Sequence, residues 1–139
     1  MGPSKLNTEM LAGKQVLVAE DNTANQLVLK RLLKKVGIEP VFANNGQEIM
    51  SLYKAEPEKW HLLLMDCEMP VMDGYHATEG IREYEVEQAI NPIHIIGLSA
   101  HAITEFKKKA LDVGMDDYLT KPLDRDLLFQ TLDKYLHAD

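Results

Sequence analysis

Apolar residues fall into two alternating patterns along the chain. Five short runs, 15–19, 40–43, 61–65, 94–98 and 117–120, are dense in aliphatic side chains. Three of them contain unbroken stretches: Val16-Leu17-Val18-Ala19, Leu62-Leu63-Leu64-Met65 and Ile95-Ile96-Gly97-Leu98. Apolar character without polar alternation predicts strands covered on both faces, and runs this short do not make buried helices. Between them the spacing changes to that of helices. Leu29, Leu32, Leu33 and Val36 recur at three- and four-residue intervals among lysines and an arginine, and Gly37 follows as a residue able to take positive φ. Ile49, Met50, Leu52 and Tyr53 predict a second helix, stopped by Pro57. A third covers about 75–88, with Ile81 and Tyr84 facing inward and Gly80 weakening it by roughly 1 kcal/mol relative to alanine. Ile103, Phe106, Ala110 and Val113 make a fourth, ending at Gly114. Asp124 caps a fifth, Leu123 and Leu128 sit at the hydrophobic-staple positions, and Leu127, Leu132 and Leu136 continue its inner face.

The order is strand then helix, five times. Units of this kind close as right-handed crossovers, which predicts an α/β fold with a five-stranded parallel sheet and helices on both faces. Successive strands start about 23 residues apart except after the third, where the step is about 33, so something extra follows that strand. Residues 1–13 are polar and without periodicity and read as a flexible lead-in or linker, in which Gly2-Pro3-Ser4 has the character of a tag remnant; the packed domain is expected over 14–139.

Composition narrows the function. The 139 residues amount to one domain. Fifteen lysines and arginines against 22 acids give a charge of −7, opposite in sign to that of a nucleic-acid binder. Cys67 is the single cysteine, which excludes an intrachain disulfide and a multi-cysteine zinc site and fits a reducing, cytoplasmic setting. No run is long enough to span a bilayer, so no direct membrane contact is expected.

Ligands of open parallel sheets bind at the carboxyl ends of the strands. Glu20 and Asp21 follow the first strand, Asp66 closes the third, Ser99 closes the fourth and Lys121 follows the fifth. Each alone reads as a cap, turn or surface residue. Together, three carboxylates at one edge repel one another unless a cation intervenes, and a hard divalent ion with oxygen ligands, Mg2+ with Mn2+ as a substitute, suits them. Lys121 would be redundant for that task and fits better as a clamp on a second anion such as a phosphoryl group. Neither G-x-G-x-x-G nor G-K-[ST] occurs, which disfavours dinucleotide and Walker-type nucleotide sites.

The segments Val16-Leu17-Val18-Ala19-Glu20-Asp21-Asn22, Met65-Asp66-Cys67-Glu68-Met69-Pro70-Val71-Met72-Asp73-Gly74, Gly97-Leu98-Ser99-Ala100 and Tyr118-Leu119-Thr120-Lys121-Pro122 closely resemble the receiver domain of two-component response regulators. With Asn22 and Asn25 they are most similar to the receivers at the C-terminal end of hybrid sensor histidine kinases. The resemblance implies a (βα)5 flavodoxin-like fold with strand order 2-1-3-4-5. It makes Asp66 the phosphoacceptor and gives Mg2+ to Glu20, Asp21, Asp66 and the backbone carbonyl of Glu68. Ser99 and Lys121 would hold phosphoryl oxygens, Lys121-Pro122 would be cis, and Tyr118 would be the switch aromatic. Ser99 is expected to move toward the phosphoryl group and vacate space that Tyr118 fills, biasing the face of helix 4, strand 5 and helix 5. Gly97, where alanine is usual, suggests looser packing beneath the site. Glu68 and His101 occupy the positions that tune phosphoryl loss, and Cys67 reads as a small buried side chain.

The implied activity is self-phosphorylation from a phosphohistidine and slow self-dephosphorylation, so "enzyme" describes the domain only in part, as a portion of a histidine kinase polypeptide. The partner would be a kinase dimerisation and phosphotransfer domain or a histidine phosphotransfer protein, docked on helix 1 through Leu27 or Val28 unless these belong to the core; weak self-association is a further expectation. Two other readings stay open. One is a free-standing response regulator, although the polar start favours excision from a hybrid kinase; no DNA-binding output is expected after residue 136. The other is a Mg-dependent enzyme of Toprim or haloacid-dehalogenase type; Glu20 with Asp66 and Glu68 loosely imitates the acid-x-acid pattern of the former.

Overall fold

The computed structural model describes residues 11–136. Five strands and five helices alternate: β1 (Val16–Ala19), α1 (Thr23–Lys34), β2 (Val41–Ala43), α2 (Gly46–Ala55), β3 (Leu62–Asp66), α3 (Gly74–Gln88), β4 (His94–Ser99), α4 (Thr104–Asp112), β5 (Asp117–Thr120) and α5 (Arg125–Leu136). All strand pairs are parallel and the order is β2-β1-β3-β4-β5, as the resemblance implies.

The unbroken apolar runs are explained by the two faces of this sheet. Val16, Val18, Leu62, Leu64, Ile96 and Leu98 point to the side packed by Leu29 and Leu33 of α1 and Leu128, Leu132 and Leu136 of α5. Leu17, Ala19, Leu63, Met65 and Ile95 point to the other side, packed by Ile49 and Tyr53 of α2, Ala77 and Ile81 of α3 and Ala110 of α4. Both faces are dry, so alternation disappears from the sequence.

Side-chain caps mark several helix starts. Asn22, Asn45, Asp73 and Asp124 accept backbone N–H groups three residues on, from Asn25, Glu48, His76 and Leu127. Gly37 takes φ +88, and α2 stops at Ala55, two residues before Pro57. The long third step is divided between the connection 67–73 and the fifteen residues of α3.

Three expectations are corrected. Leu11 is fully buried within the α1/α5 core, so packed structure begins inside the segment read as a lead-in; residues 1–10 and 137–139 lie outside the described ones. Leu127 is half exposed, because Leu128, Leu132 and Leu136 suffice to cover the sheet. Gly97 does not loosen the packing. A Cβ there would meet Met115 Sδ at 2.5 Å and the Tyr118 ring at 3.3 Å, so the space alanine would fill is already taken.

Candidate functional site

Strand parity decides which side chains meet. Glu20, Asp66 and Lys121 continue the alternation of Val16/Val18, Leu62/Leu64 and Leu119, the residues facing α1 and α5. They therefore emerge on one side of the carboxyl edge. Lys121 Nζ lies 3.0 Å from Glu20 Oε1 and 3.0 Å from Asp66 Oδ2. Glu20 and Asp66 are almost wholly buried, at 1% and 2% exposure, whereas Asp21 is exposed at the mouth. Glu20, Asp21 and Asp66 each offer a carboxylate oxygen, all within 4.8 Å of one another. This hard, all-oxygen, anionic donor set with one open side fits Mg2+.

Further groups hold these acids in place. Glu20 Oε2 accepts the Asn22 N–H at 3.1 Å and the Asn25 amide at 3.4 Å. The Gln26 amide donates to the Glu20 carbonyl and to Asn44 Oδ1, joining α1 to the ends of β1 and β2. Asp66 Oδ1 accepts the Glu68 N–H at 3.0 Å. Gly74 permits the tight return of the chain behind Asp66: its N–H donates to the Cys67 carbonyl at 3.0 Å, and a Cβ would collide with the Asp66 backbone oxygen.

The electrostatics follow from burial. Removal from water pushes Asp66 up to about 6; Glu20 adds to the rise, while the Lys121 ammonium and the Glu68 N–H oppose it. Burial works against the Lys121 charge, but hydrogen bonds and attraction from Asp66 and Glu20 win and hold it above the ordinary lysine value. The Cys67 thiol, fully buried, is pushed up to about 12, which makes it an inert packing group.

Ser99, Cys67 and Tyr118 belong to the opposite face. The Ser99 hydroxyl donates to Glu68 Oε2 at 2.8 Å and accepts the His101 N–H at 3.0 Å. The Tyr118 hydroxyl donates to the His101 carbonyl at 2.6 Å, and its ring is already buried beside Gly97. Tyr118 is thus inward in the unmodified domain. Lys121-Pro122 is cis. The structure brings Glu20, Asp21, Asp66 and Lys121 into one cluster and places Ser99 beside Glu68. The Glu68 carboxylate is turned toward Ser99 and is not among the three clustered carboxylates. Sequence reasoning missed Gln26 and the hydrogen bonds by which Asn25 and Glu68 orient the site. The Asn22/Asn25 spacing and the expected metal-binding and tuning roles of Glu68 point to those two positions without giving these contacts.

The response regulator receiver domain model matches residues 16–133. The chain is 40% identical over 121 residues to the sensor histidine kinase GacS of Pseudomonas protegens, covering 87% of this chain but only 13% of that protein. Its structure is similar to a chain in the co-crystal of the Saccharomyces cerevisiae histidine phosphotransfer signalling protein Ypd1 with the receiver domain of its downstream response regulator Ssk1. That likeness has a TM-score of 0.85 and 33% identity over 91% of each chain. The receiver domain of sensor histidine kinase PA1611 from Pseudomonas aeruginosa, solved with a magnesium ion in its active-site cleft, matches with a TM-score of 0.74. It is 35% identical over 91% of this chain and all of that one. These likenesses set the Toprim and dehalogenase readings aside. Sequence segments, sheet order and acidic cluster agree: the chain belongs to the response regulator receiver domain family.

Proposed function

We propose that Asp66 accepts a phosphoryl group from a phosphohistidine and that the same site later releases it to water. The observation that carries this reading is the placement of a buried carboxylate within 3.0 Å of an ammonium group and beside two further acids at one sheet edge. A carboxylate oxygen of Asp66 forms the new P–O bond while the N–P bond breaks, and its electron pair returns to the imidazole nitrogen. Glu20, Asp21, Asp66 and the Glu68 carbonyl would hold Mg2+, which supplies charge neutralisation on the phosphoryl oxygens. Lys121 turns from Glu20 and Asp66 to a phosphoryl oxygen, and Ser99 donates its proton to another. Burial of the Glu20 and Asp66 carboxylates strengthens these contacts, because both are removed from bulk water. In dephosphorylation Asp66 changes from nucleophile to leaving group. Water attacks phosphorus, the P–O bond to Asp66 breaks with its electron pair returning to the carboxylate, and the water's protons leave with the inorganic phosphate and to solvent.

The partner is a histidine-bearing helical domain, of the kinase or phosphotransfer class named for the similar structures. Leu27 and Val28 support α1 as its docking surface. They are 48% and 50% exposed and take no part in the core, and Val28 joins Glu20, Asn25, Lys121 and Pro122 in lining a cleft of about 170 Å3. The 40% identity to the sensor histidine kinase GacS and 37% identity to hybrid signal transduction histidine kinase I of Dictyostelium discoideum support placing this chain as the receiver portion of a hybrid sensor kinase, on its cytoplasmic side. Among the described residues no helix is long and apolar enough to cross a membrane.

A small acyl phosphate donor tests the acceptor assignment. With Mg2+ the intact mass should rise by one phosphoryl group, and neither EDTA-treated protein nor Asp66→Asn should gain it. An equal adduct on Asp66→Asn would remove Asp66 from the acceptor role.

A further inference from the structure

Glu68 is exposed, yet both ends of the residue are tied to the site. Its N–H donates to Asp66 Oδ1 at 3.0 Å, while its carboxylate takes the Ser99 hydroxyl on Oε2 at 2.8 Å and the Ala100 N–H on Oε1 at 3.4 Å. A serine hydroxyl has one proton to donate. Spent on Glu68, it is unavailable to a phosphoryl oxygen. The Glu68 carboxylate also brings negative charge and two acceptor oxygens to donors beside the acceptor aspartate, the same properties a phosphoryl group would bring.

We propose that the Glu68 carboxylate is an internal stand-in for the phosphoryl group: it occupies the Ser99 hydroxyl and the Ala100 N–H in the unmodified domain and has to be displaced before a phosphoryl group on Asp66 is fully held. The proposal rests on the reading of Asp66 as phosphoacceptor. Displacement hands the Ser99 proton from Glu68 to a phosphoryl oxygen. It also couples the event to the opposite face of the sheet, because Ser99 Oγ accepts the His101 N–H and the His101 carbonyl accepts the Tyr118 hydroxyl. Glu68 thus acts as a positioning residue whose hold on Ser99 raises the threshold for modification.

The test is a four-protein cycle of wild type, Glu68→Ala, Ser99→Ala and the double variant. Each is titrated with beryllofluoride in the presence of Mg2+ and followed by the amide resonances of residues 66–68 and 99–101. With Ser99 intact, Glu68→Ala should tighten binding about tenfold, equivalent to about 1.4 kcal/mol. In the Ser99→Ala background the gain should fall to about threefold or less, since only charge repulsion remains to be relieved, and this non-additivity is the signature of the latch. Glu68→Gln, which keeps the size of the side chain and removes its charge, should show an intermediate gain and guards against a folding defect in the alanine variant. Equal gains in both backgrounds, or none in either, would overturn the stand-in role while leaving Asp66 as acceptor. Failure of all four proteins to bind would remove the acceptor reading, and the stand-in with it.

Discussion

Replacing Asp66 by asparagine should stabilise the metal-free protein at alkaline pH, although Asp66 is the residue proposed to accept the phosphoryl group. Burial raises its carboxyl from 3.8 to about 6 despite the Lys121 ammonium at 3.0 Å. A folded-state value above the unfolded one means that the fold prefers the protonated acid. That preference contributes stability fully below about pH 3.8 and is lost as pH rises through about 6. The difference is about two pH units, which sets a ceiling of about 3 kcal/mol on the penalty at pH 8. Asparagine resembles the neutral acid in size, still accepts the Glu68 N–H through its amide oxygen, and leaves Lys121 paired with Glu20; its NH2 group then faces the Lys121 ammonium, which takes back part of the gain. Urea unfolding in EDTA should therefore show Asp66→Asn more stable than wild type by about 1–3 kcal/mol at pH 8, with the gap closing toward pH 4. A variant equal to or weaker than wild type at pH 8 would refute the electrostatic reasoning. It would show that the bond to Lys121 outweighs burial and the repulsion from Glu20.

Other consequences can be checked with the same preparations. Mg2+ at a hundred times its dissociation constant should stabilise wild type by about 2.7 kcal/mol in chemical denaturation, with most of the effect lost in Asp21→Asn and Asp66→Asn. Val71, a β-branched residue 82% exposed at φ +69, should gain about 0.5–1 kcal/mol of stability on replacement by glycine, read as a shift in urea midpoint. Gly97→Ala should lower stability by about 1–3 kcal/mol through the collision with Met115 and displace the Tyr118 ring, visible in its near-ultraviolet circular dichroism.

The sheet, its helices and the acidic edge were legible because each rests on a local signal. Aliphatic runs such as Leu62-Leu63-Leu64-Met65 mark strands buried on two faces, and Asp66 and Lys121 stand directly at strand ends, where parity brings them together across 55 residues. The path of the connections was less legible. Leu11 looks like part of a polar leader, and only its membership of the core cluster formed by one face of the sheet with α1 and α5 explains its burial. The Glu68–Ser99 bond joins residues 31 positions apart whose side chains meet beyond the strand ends, where alternation no longer orders them. Gly97 shows the opposite failure: its small size suggests a void, whereas the neighbours Met115 and Tyr118 use that size.

The central claim is that the Asp66 carboxylate becomes an acyl phosphate. The most direct measurement is borohydride trapping after incubation with Mg2+ and a phosphohistidine-bearing donor domain, followed by peptide sequencing in a mass spectrometer. Reduction of an acyl phosphate converts its aspartate to homoserine, and the account predicts homoserine at position 66 alone, absent when EDTA is present. Homoserine at position 21, or none at position 66 in a sample that has taken up the phosphoryl group, would contradict it.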